Sequence, residues 1–356
     1  MSSLPADHPF ETGVTADSPL VAAYQGRTPA RRPVWFMRQA GRSLPEYREA
    51  RKGIAMLDSC LTPSLASEIT LQPVRRYDVD AAIFFSDIVV PMALAGVEVT
   101  IEPGIGPVFA RPIRTMEDVE ALPALGDGFD AALAPIREAV GLTVAQLGAT
   151  PLIGFAGAPF TLAAYMVDGR ASRDHLGARR LIATRPDVWA GLAEWVARAS
   201  GQFLRAQILA GASAVQLFDS WAGSLDARTY EAACAPSSAA AFAAVSDLPV
   251  PRVHFAAHGS HLLRPMADAG ATVLGVDYRL GLDAANQVLG GEKPLQGNID
   301  PAMLSAPWET LGAHVDDVLH RGEAAPGHVV NLGHGVPPDT NPDALKRIVD
   351  HVHDHG

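Results

Sequence analysis

Short, nearly unbroken apolar runs recur along this chain, and a longer amphipathic stretch follows most of them. That alternation leaves few folds open. The runs are VWFMR (34–38), DAAIFFSD (80–87), PLIGFAGA (151–158), SAVQLFDS (213–220), PRVHFAA (251–257), ATVLGVDY (271–278), KPLQGNI (293–299) and HVVNLGHG (328–335). A strand that is apolar at almost every position is buried on both faces, which is how parallel strands covered by helices read. Eight such strands with helical crossovers fit an α/β fold of the closed (β/α)8 (TIM) barrel type, and a doubly wound open sheet is the rival. No G-x-G-x-x-G follows the first run and no G-x-x-x-x-G-K-[ST] occurs anywhere, which lowers the case for a dinucleotide or ATP enzyme. A length of 356 residues suits one large barrel, so residues 1–356 are expected to form a single domain, with 1–17 a poorly ordered N-terminal segment.

The connecting stretches carry helix signals. TPSLASEITLQPVRRY begins with a cap candidate at Thr62 and has proline at the next position, and Pro73 is expected to kink it or end it early. PDVWAGLAEWVARASGQFLRAQILAG predicts a long helix closed by Gly211, and NPDALKRIVDHVHDH a terminal helix capped by Asn341, whose HVHDH end reads as solvated. VEVTIEPGIGPVFARPI (97–113) alternates around central Gly and Pro, and predicts a small β-hairpin inserted after the second strand.

The charge balance sets what such a barrel can hold. Lys plus Arg is 28 and Asp plus Glu is 39, a net charge of −11. A broad nucleic-acid surface needs a basic face, so nucleic acid is not an expected partner, whereas a small anion needs only a local cationic pocket. Cys60 and Cys234 form no C-x-x-C, and a reducing cytosol is the natural reading. The N-terminus has no basic start and no apolar core of a secretory signal. Apolar runs reach only about ten residues, short of the roughly 20 that span a bilayer. These features predict a cytoplasmic protein that is not in a membrane.

Barrel active sites lie at the C-terminal ends of the strands. Those ends carry Arg38 and Arg42, Ser86 and Asp87, Asp219 and Ser220, His254 and His258, Asp277, Asn298 and His334. Each also has a plainer reading: surface ion pairs for the arginines, a loop cap for Asp87, turn chemistry for Ser220 and His334. Ser220 is not in G-x-S-x-G, so a hydrolase elbow is not supported. His254, His258 and His261 mimic metal spacing, but no cysteine sits near them and structural roles are favoured.

The motifs as a set are more specific than any single residue. PVWFMRQAGRSLPEYR closely resembles the N-terminal signature of the uroporphyrinogen decarboxylase family. FFSDIVVPMALAGVEV, GFAGAPFTLAAYMVDG, AVQLFDSWAG, LQGNIDP and NLGHGVPPDTNPD resemble that family in its order and at compatible spacing, from about residue 20 to the C-terminus. The resemblance implies a distorted (β/α)8 barrel, usually a homodimer, with no cofactor and no metal. It implies removal of the four acetate carboxyls of uroporphyrinogen III as CO2, giving coproporphyrinogen III in haem biosynthesis. Position by position, the family's substrate-binding arginines fall on Arg38 and Arg42, its central aspartate on Asp87, its tyrosine on Tyr165, its small hydroxyl residue on Ser220 and its histidine on His334. Phe218 matches an aromatic lining position, and Arg38, Asp87, Tyr165 and His334 are the catalytic candidates. Ser43 departs from the aromatic residue common after the second arginine, which bears on loop packing rather than charge.

Two rivals remain at this level. A corrinoid or coenzyme M methyltransferase of the same superfamily would bind zinc through H-x-C after a middle strand, and here the stretch reads HFA, His254 to Ala256. A non-catalytic tetrapyrrole-binding protein would keep a pocket without needing the full polar set.

Overall fold

The computed structural model describes residues 4–356. Seven strands form one parallel sheet in the order β1 (Ala82–Ile83), β4 (Leu152–Gly157), β5 (Ala214–Phe218), β6 (Arg252–Phe255), β7 (Val273–Gly275), β8 (Leu295–Gln296) and β9 (His328–Val329). Strands β2 (Val99–Glu102) and β3 (Gly106–Phe109) pair antiparallel as the expected hairpin. All six residues of β4 are buried, as a strand covered on both faces requires.

The eighth run, VWFMR, does not form a strand, yet it closes the barrel. Val34 makes a parallel bridge to Val330 beyond β9. On its other side, Asp80 N donates to Val34 O at 2.9 Å, next to β1. Pairing stops there because Pro33 lacks an N–H and Arg38 turns the chain at φ 61°. The buried Asp80 carboxylate staples this seam. It accepts from Val34 N at 2.9 Å, from the Arg31 guanidinium at 2.8 Å and from His353 Nε2 at 2.8 Å.

Several local expectations need correction. The helix Pro63–Tyr77 continues past Pro73, which therefore does not end it early, and stops at Asp78, which is left-handed at φ 59°. Thr62 precedes it but does not cap it, since its hydroxyl donates instead to Asp58 O of the preceding helical turn at 2.8 Å. The terminal helix Pro342–His355 is capped by Asn341 as expected. Its end is not simply solvated, because His353 reaches Asp80 and His351 Nε2 reaches Asp316 at 2.6 Å. Of the segment 1–17, expected to be poorly ordered, residues 1–3 lie outside the described residues and parts of the rest are packed. Leu4, His8 and Thr15 are buried, His8 Nε2 bonds Ile208 O at 2.8 Å, and the Thr15 and Ser213 hydroxyls meet at 2.7 Å. The long helix Pro186–Leu209 ends as the sequence predicts, with Gly211 at φ 126°.

Strand register decides which residues face the barrel interior. Gln216 of β5 and Gln296 of β8 are not on neighbouring strands, yet their side chains hydrogen-bond at 3.2 Å, so both point inward. Side chains alternate along a strand. Phe218 therefore faces inward, with its register partner Phe255, while Leu217, Asp219 and His254 face the helices.

One buried histidine makes stability pH-dependent. His328 on β9 is 5% exposed. Arg32 Nη1 can only donate to its Nδ1, at 3.0 Å, so its Nε2–H donates to Gly297 O, at 2.7 Å, and the ring is neutral. Burial lowers its pKa from 6.5 to about 4. The unfolded chain therefore binds this proton first, and the contribution is full above 6.5 and lost as pH falls towards 4. At equilibrium in urea, unfolding free energy is expected to drop by about 3 kcal/mol across that window from this site, and His328→Gln should flatten that part of the curve.

Candidate active site

The sequence WFMRQAGR builds one wall of the mouth. Gln39 is fully buried and clamps this loop, its Oε1 accepting from Phe36 N at 3.0 Å and its Nε2 donating to Ala81 O beside β1 at 3.0 Å. Met37 is held from the opposite side: its N–H donates to Asn331 Oδ1 at 2.9 Å and its carbonyl accepts from Val336 N at 2.8 Å. Arg38 between them is thrown outward into the mouth, exposed. Gln39→Leu leaves both buried backbone groups without partners, an expected loss of about 2–4 kcal/mol in chemical unfolding, with weakened ligand binding because the Arg38 loop loosens.

Arg38 reaches three other candidates through its field. Desolvation raises the pKa of Asp87 and Tyr165 and lowers that of His334, and the Arg38 charge pulls all three downward. Arg38 and Arg42 are both exposed and make no ion pair among the described residues. Such unneutralised guanidiniums suit a carboxylate ligand, which they can grip with two parallel N–H bonds. Arg42 uses its backbone carbonyl to hold Arg48, at 2.7 Å.

Asp87 follows β1 and starts a turn, its carbonyl accepting from Val90 N at 3.1 Å. Its side chain is half-exposed towards the mouth but surrounded by protein, and desolvation raises its pKa, opposed by the Val89 N–H and by Arg38. The Val89 N–H, at 3.1 Å, is its one protein donor among the described residues, which leaves most of its acceptor capacity unused.

Tyr165 lies on the helix Pro159–Asp168. Burial, with the Asp87 charge adding to it, pushes its phenol up to about 12, so it remains a protonated donor. Its ring packs on Trp221 at 3.9 Å between centroids, and Trp221 stacks in turn on His175 at 4.2 Å. Thr161, one turn earlier, fixes this helix to the loop after β5, donating to Asp219 Oδ1 at 2.8 Å and accepting from Trp221 N at 3.2 Å.

Phe218 ends β5 beside Ser220, which is half-buried. Its ring meets Phe155 of β4 edge-on at 5.4 Å and Phe255 of β6 at 6.3 Å. The three make an aromatic wall inside the barrel. Sequence reading found Phe218 but not Phe155 or Phe255, because runs apolar on both faces hide which side is lined.

His334 is exposed between two glycines. Those glycines accommodate neighbours rather than a ligand. A Cβ at Gly335 would lie 2.5 Å from Arg38 Cδ, and one at Gly333 would lie 2.2 Å from Tyr278 N. His334 is held below its ordinary pKa first by desolvation and then by Arg38, with His258 and Arg279 adding positive charge and the Gly335 backbone opposing. It is a neutral imidazole near neutral pH.

Other strand-end residues do not join the mouth. Asp219 and His254 are fully buried on the helix side of the sheet, their closest approach 3.7 Å, with His254 edge-on to Phe242 at 5.6 Å. Asp277 is buried and Asn298 donates to the carbonyls of Asp277 and Leu280, so both organise loops. Among the described residues no group of three or more His, Cys, Asp and Glu is arranged to hold a metal ion. His254 is turned away from the interior, and the position that would supply a thiolate is Ala256. The zinc-methyltransferase donor set is therefore not met by these residues.

The mouth of this α/β barrel combines two unpaired guanidiniums, a desolvated carboxylate, a phenol and an aromatic wall, groups that can pair with carboxylates and pack on a ring. The comparisons narrow the class. Residues 15–355 match the model of the uroporphyrinogen decarboxylase (URO-D) family, and the chain belongs to that family. It is 66% identical over 341 residues to the uroporphyrinogen decarboxylase of Arthrobacter sp. (strain FB24), covering 96% of this chain and 98% of that one. It is 58% identical over 371 residues to that of Leifsonia xyli subsp. xyli, covering 99% and 98%. Among solved structures, a methyltransferase from Methanosarcina mazei superposes with a TM-score of 0.79 at 18% identity, covering 96% of this chain and 98% of that one. That likeness concerns the fold.

Proposed function

We propose that this chain removes the four acetate carboxyls of uroporphyrinogen III as CO2 and yields coproporphyrinogen III. The observation that carries the reading is the mouth itself. In a chain of net charge −11, two unneutralised arginines stand at a mouth whose desolvated carboxylate, Asp87, is short of donors. The substrate has the complementary pattern, carboxylates around its rim and pyrrole N–H donors at its centre.

Loss of CO2 from a pyrrole acetate needs an electron sink, and the pyrrole supplies one when protonated at a ring carbon. The C–CO2 bond then breaks, its electron pair forms an exocyclic methylene, and a second proton converts that to methyl. The ring proton is released, so each acetate consumes one proton net and liberates one CO2. Asp87 accepts from the pyrrole N–H groups and stabilises the cation as it develops, a fixed charge aimed where charge appears. Arg38 and Arg42 bind and orient acetates. Arginine is a poor acid by its reference pKa, whereas Tyr165 and His334 are the proton-handling candidates beside it. Phe218 offers an edge and face to the macrocycle, and Ser220 a hydroxyl at the rim. The enzyme is read as a cytoplasmic homodimer, on the strength of the family resemblance.

Counting the CO2 released per tetrapyrrole in a sealed anaerobic reaction tests this directly. A limiting value of four supports it. Binding of the tetrapyrrole with no CO2 released would replace it with the non-catalytic reading.

A further inference from the structure

The loop after β7 carries a guanidinium at the mouth that neither the sequence motifs nor the family resemblance assigned. Asp277 is 1% exposed and acts as an anchor there. It accepts from His258 N, from Ser260 Oγ at 3.1 Å and from Arg279 N at 3.0 Å, and it takes one further bond from Arg279 Nη1 at 3.2 Å. The Arg279 guanidinium lies over the Tyr278 ring at 4.3 Å, a cation–π contact that fixes its plane. Tyr278 is itself locked against Gly333, where no side chain would fit. Arg279 is thus held on two sides, yet its side chain is 40% exposed and only one of its N–H groups is taken by Asp277. Its charge acts on His334, as the charge of Arg38 does. Arg38 and Arg279 therefore flank His334 with two guanidiniums, and Asp277, already holding three other donors, is the only acid paired with either among the described residues.

We propose that Arg279 is a third carboxylate-binding arginine of the mouth, one that grips a substrate carboxylate not reacting in that turnover. This rests on the decarboxylase reading. The assignment to a spectator carboxylate follows from position. Arg279 stands at the solvent-exposed rim, whereas the reacting acetate belongs beside desolvated Asp87. A contact made equally in the ground and transition states changes binding and not the chemical step.

The test is steady-state kinetics of the full-length Arg279→Gln and Arg279→Lys enzymes with uroporphyrinogen III under anaerobic conditions, at two salt concentrations. Arg279→Gln is expected to raise KM about tenfold, the loss of one charge-assisted bond, with kcat within about twofold of wild type. The KM of the variant should also respond less to salt, and Arg279→Lys should recover part of the loss. Asp277 keeps its other three donors in both variants, so the loop remains anchored, and the thermal midpoint should stay close to wild type. An unchanged KM overturns the proposal. So does an equal loss in KM and kcat with a lowered midpoint and no recovery by lysine, because that pattern means the residue only braces Asp277. A wild-type enzyme that releases no CO2 would instead remove the decarboxylase reading, and this inference with it.

Discussion

Asp87→Asn is expected to lower kcat by about 10²–10³-fold while leaving the thermal midpoint unchanged or slightly raised. The magnitude is that of removing one preorganised electrostatic partner from a transition state. The asparagine keeps the shape and the bond from Val89 N, so the turn after β1 should persist. The direction of the stability effect follows from linkage. Desolvation raises the pKa of Asp87, so its ionised form costs stability at neutral pH, and a neutral amide relieves that cost. The pH profile gives a second signature. If the ionised carboxylate is the working form, kcat/KM falls as pH drops through that raised pKa, and the acid limb is lost in Asp87→Asn. Turnover near wild type in the variant would contradict the role given to Asp87.

Arg38→Gln should have an effect of similar size but a different form. Arg38 faces Asp87, Tyr165 and His334 at once, so its removal takes away the ligand's bidentate partner and alters the field at all three. A bidentate charge-assisted pair of about 3–6 kcal/mol gross, partly offset by desolvation, corresponds to a loss of about 10²–10³-fold in kcat/KM. Arg38→Lys should recover only a small part, because an ammonium cannot match the two carboxylate oxygens in one plane. The pKa of His334 is expected to rise in Arg38→Gln, readable by proton NMR of its ring, since a neighbouring positive charge is gone. A lysine variant with full activity would mean that charge alone, without the guanidinium geometry, is sufficient.

The fold was legible because the apolar runs are buried on both faces, as a covered parallel sheet asks, and seven of the eight form strands of that sheet. The same property hid the interior. A run such as AVQLFDS carries no in–out alternation, so Asp219 and Ser220 read as equals, although the register turns Asp219 towards the helices. His254 was equally ambiguous for the same reason. The run VWFMR looked like a strand because composition was all that could be read. What it forms is a single bridge, since Pro33 and the left-handed Arg38 end pairing on either side. That failure lies in the stretch that delivers Arg38, where loop geometry displaces regular structure.

The site was legible to the extent that its residues belong to motifs. Arg38, Asp87, Tyr165 and His334 come from four separate segments, and the barrel brings the other three within the field of Arg38. Arg42 stands on the same loop as Arg38. What no single segment could reveal was support across the chain: Gln39 reaching Ala81, Thr161 reaching Asp219, and Asp277 gathering His258, Ser260 and Arg279. Such pairs are 17 to 58 residues apart in most cases and depend on the closed barrel.

The most direct measurement is an anaerobic reaction of the purified chain with uroporphyrinogen III, with no metal or cofactor added, followed by oxidation and chromatographic separation of the porphyrins by carboxyl number. The expected result is progression from eight carboxylates through seven, six and five to four, with coproporphyrin III as the end product. Recovery of the octacarboxylate unchanged, under conditions where it binds the protein, would contradict the decarboxylase assignment.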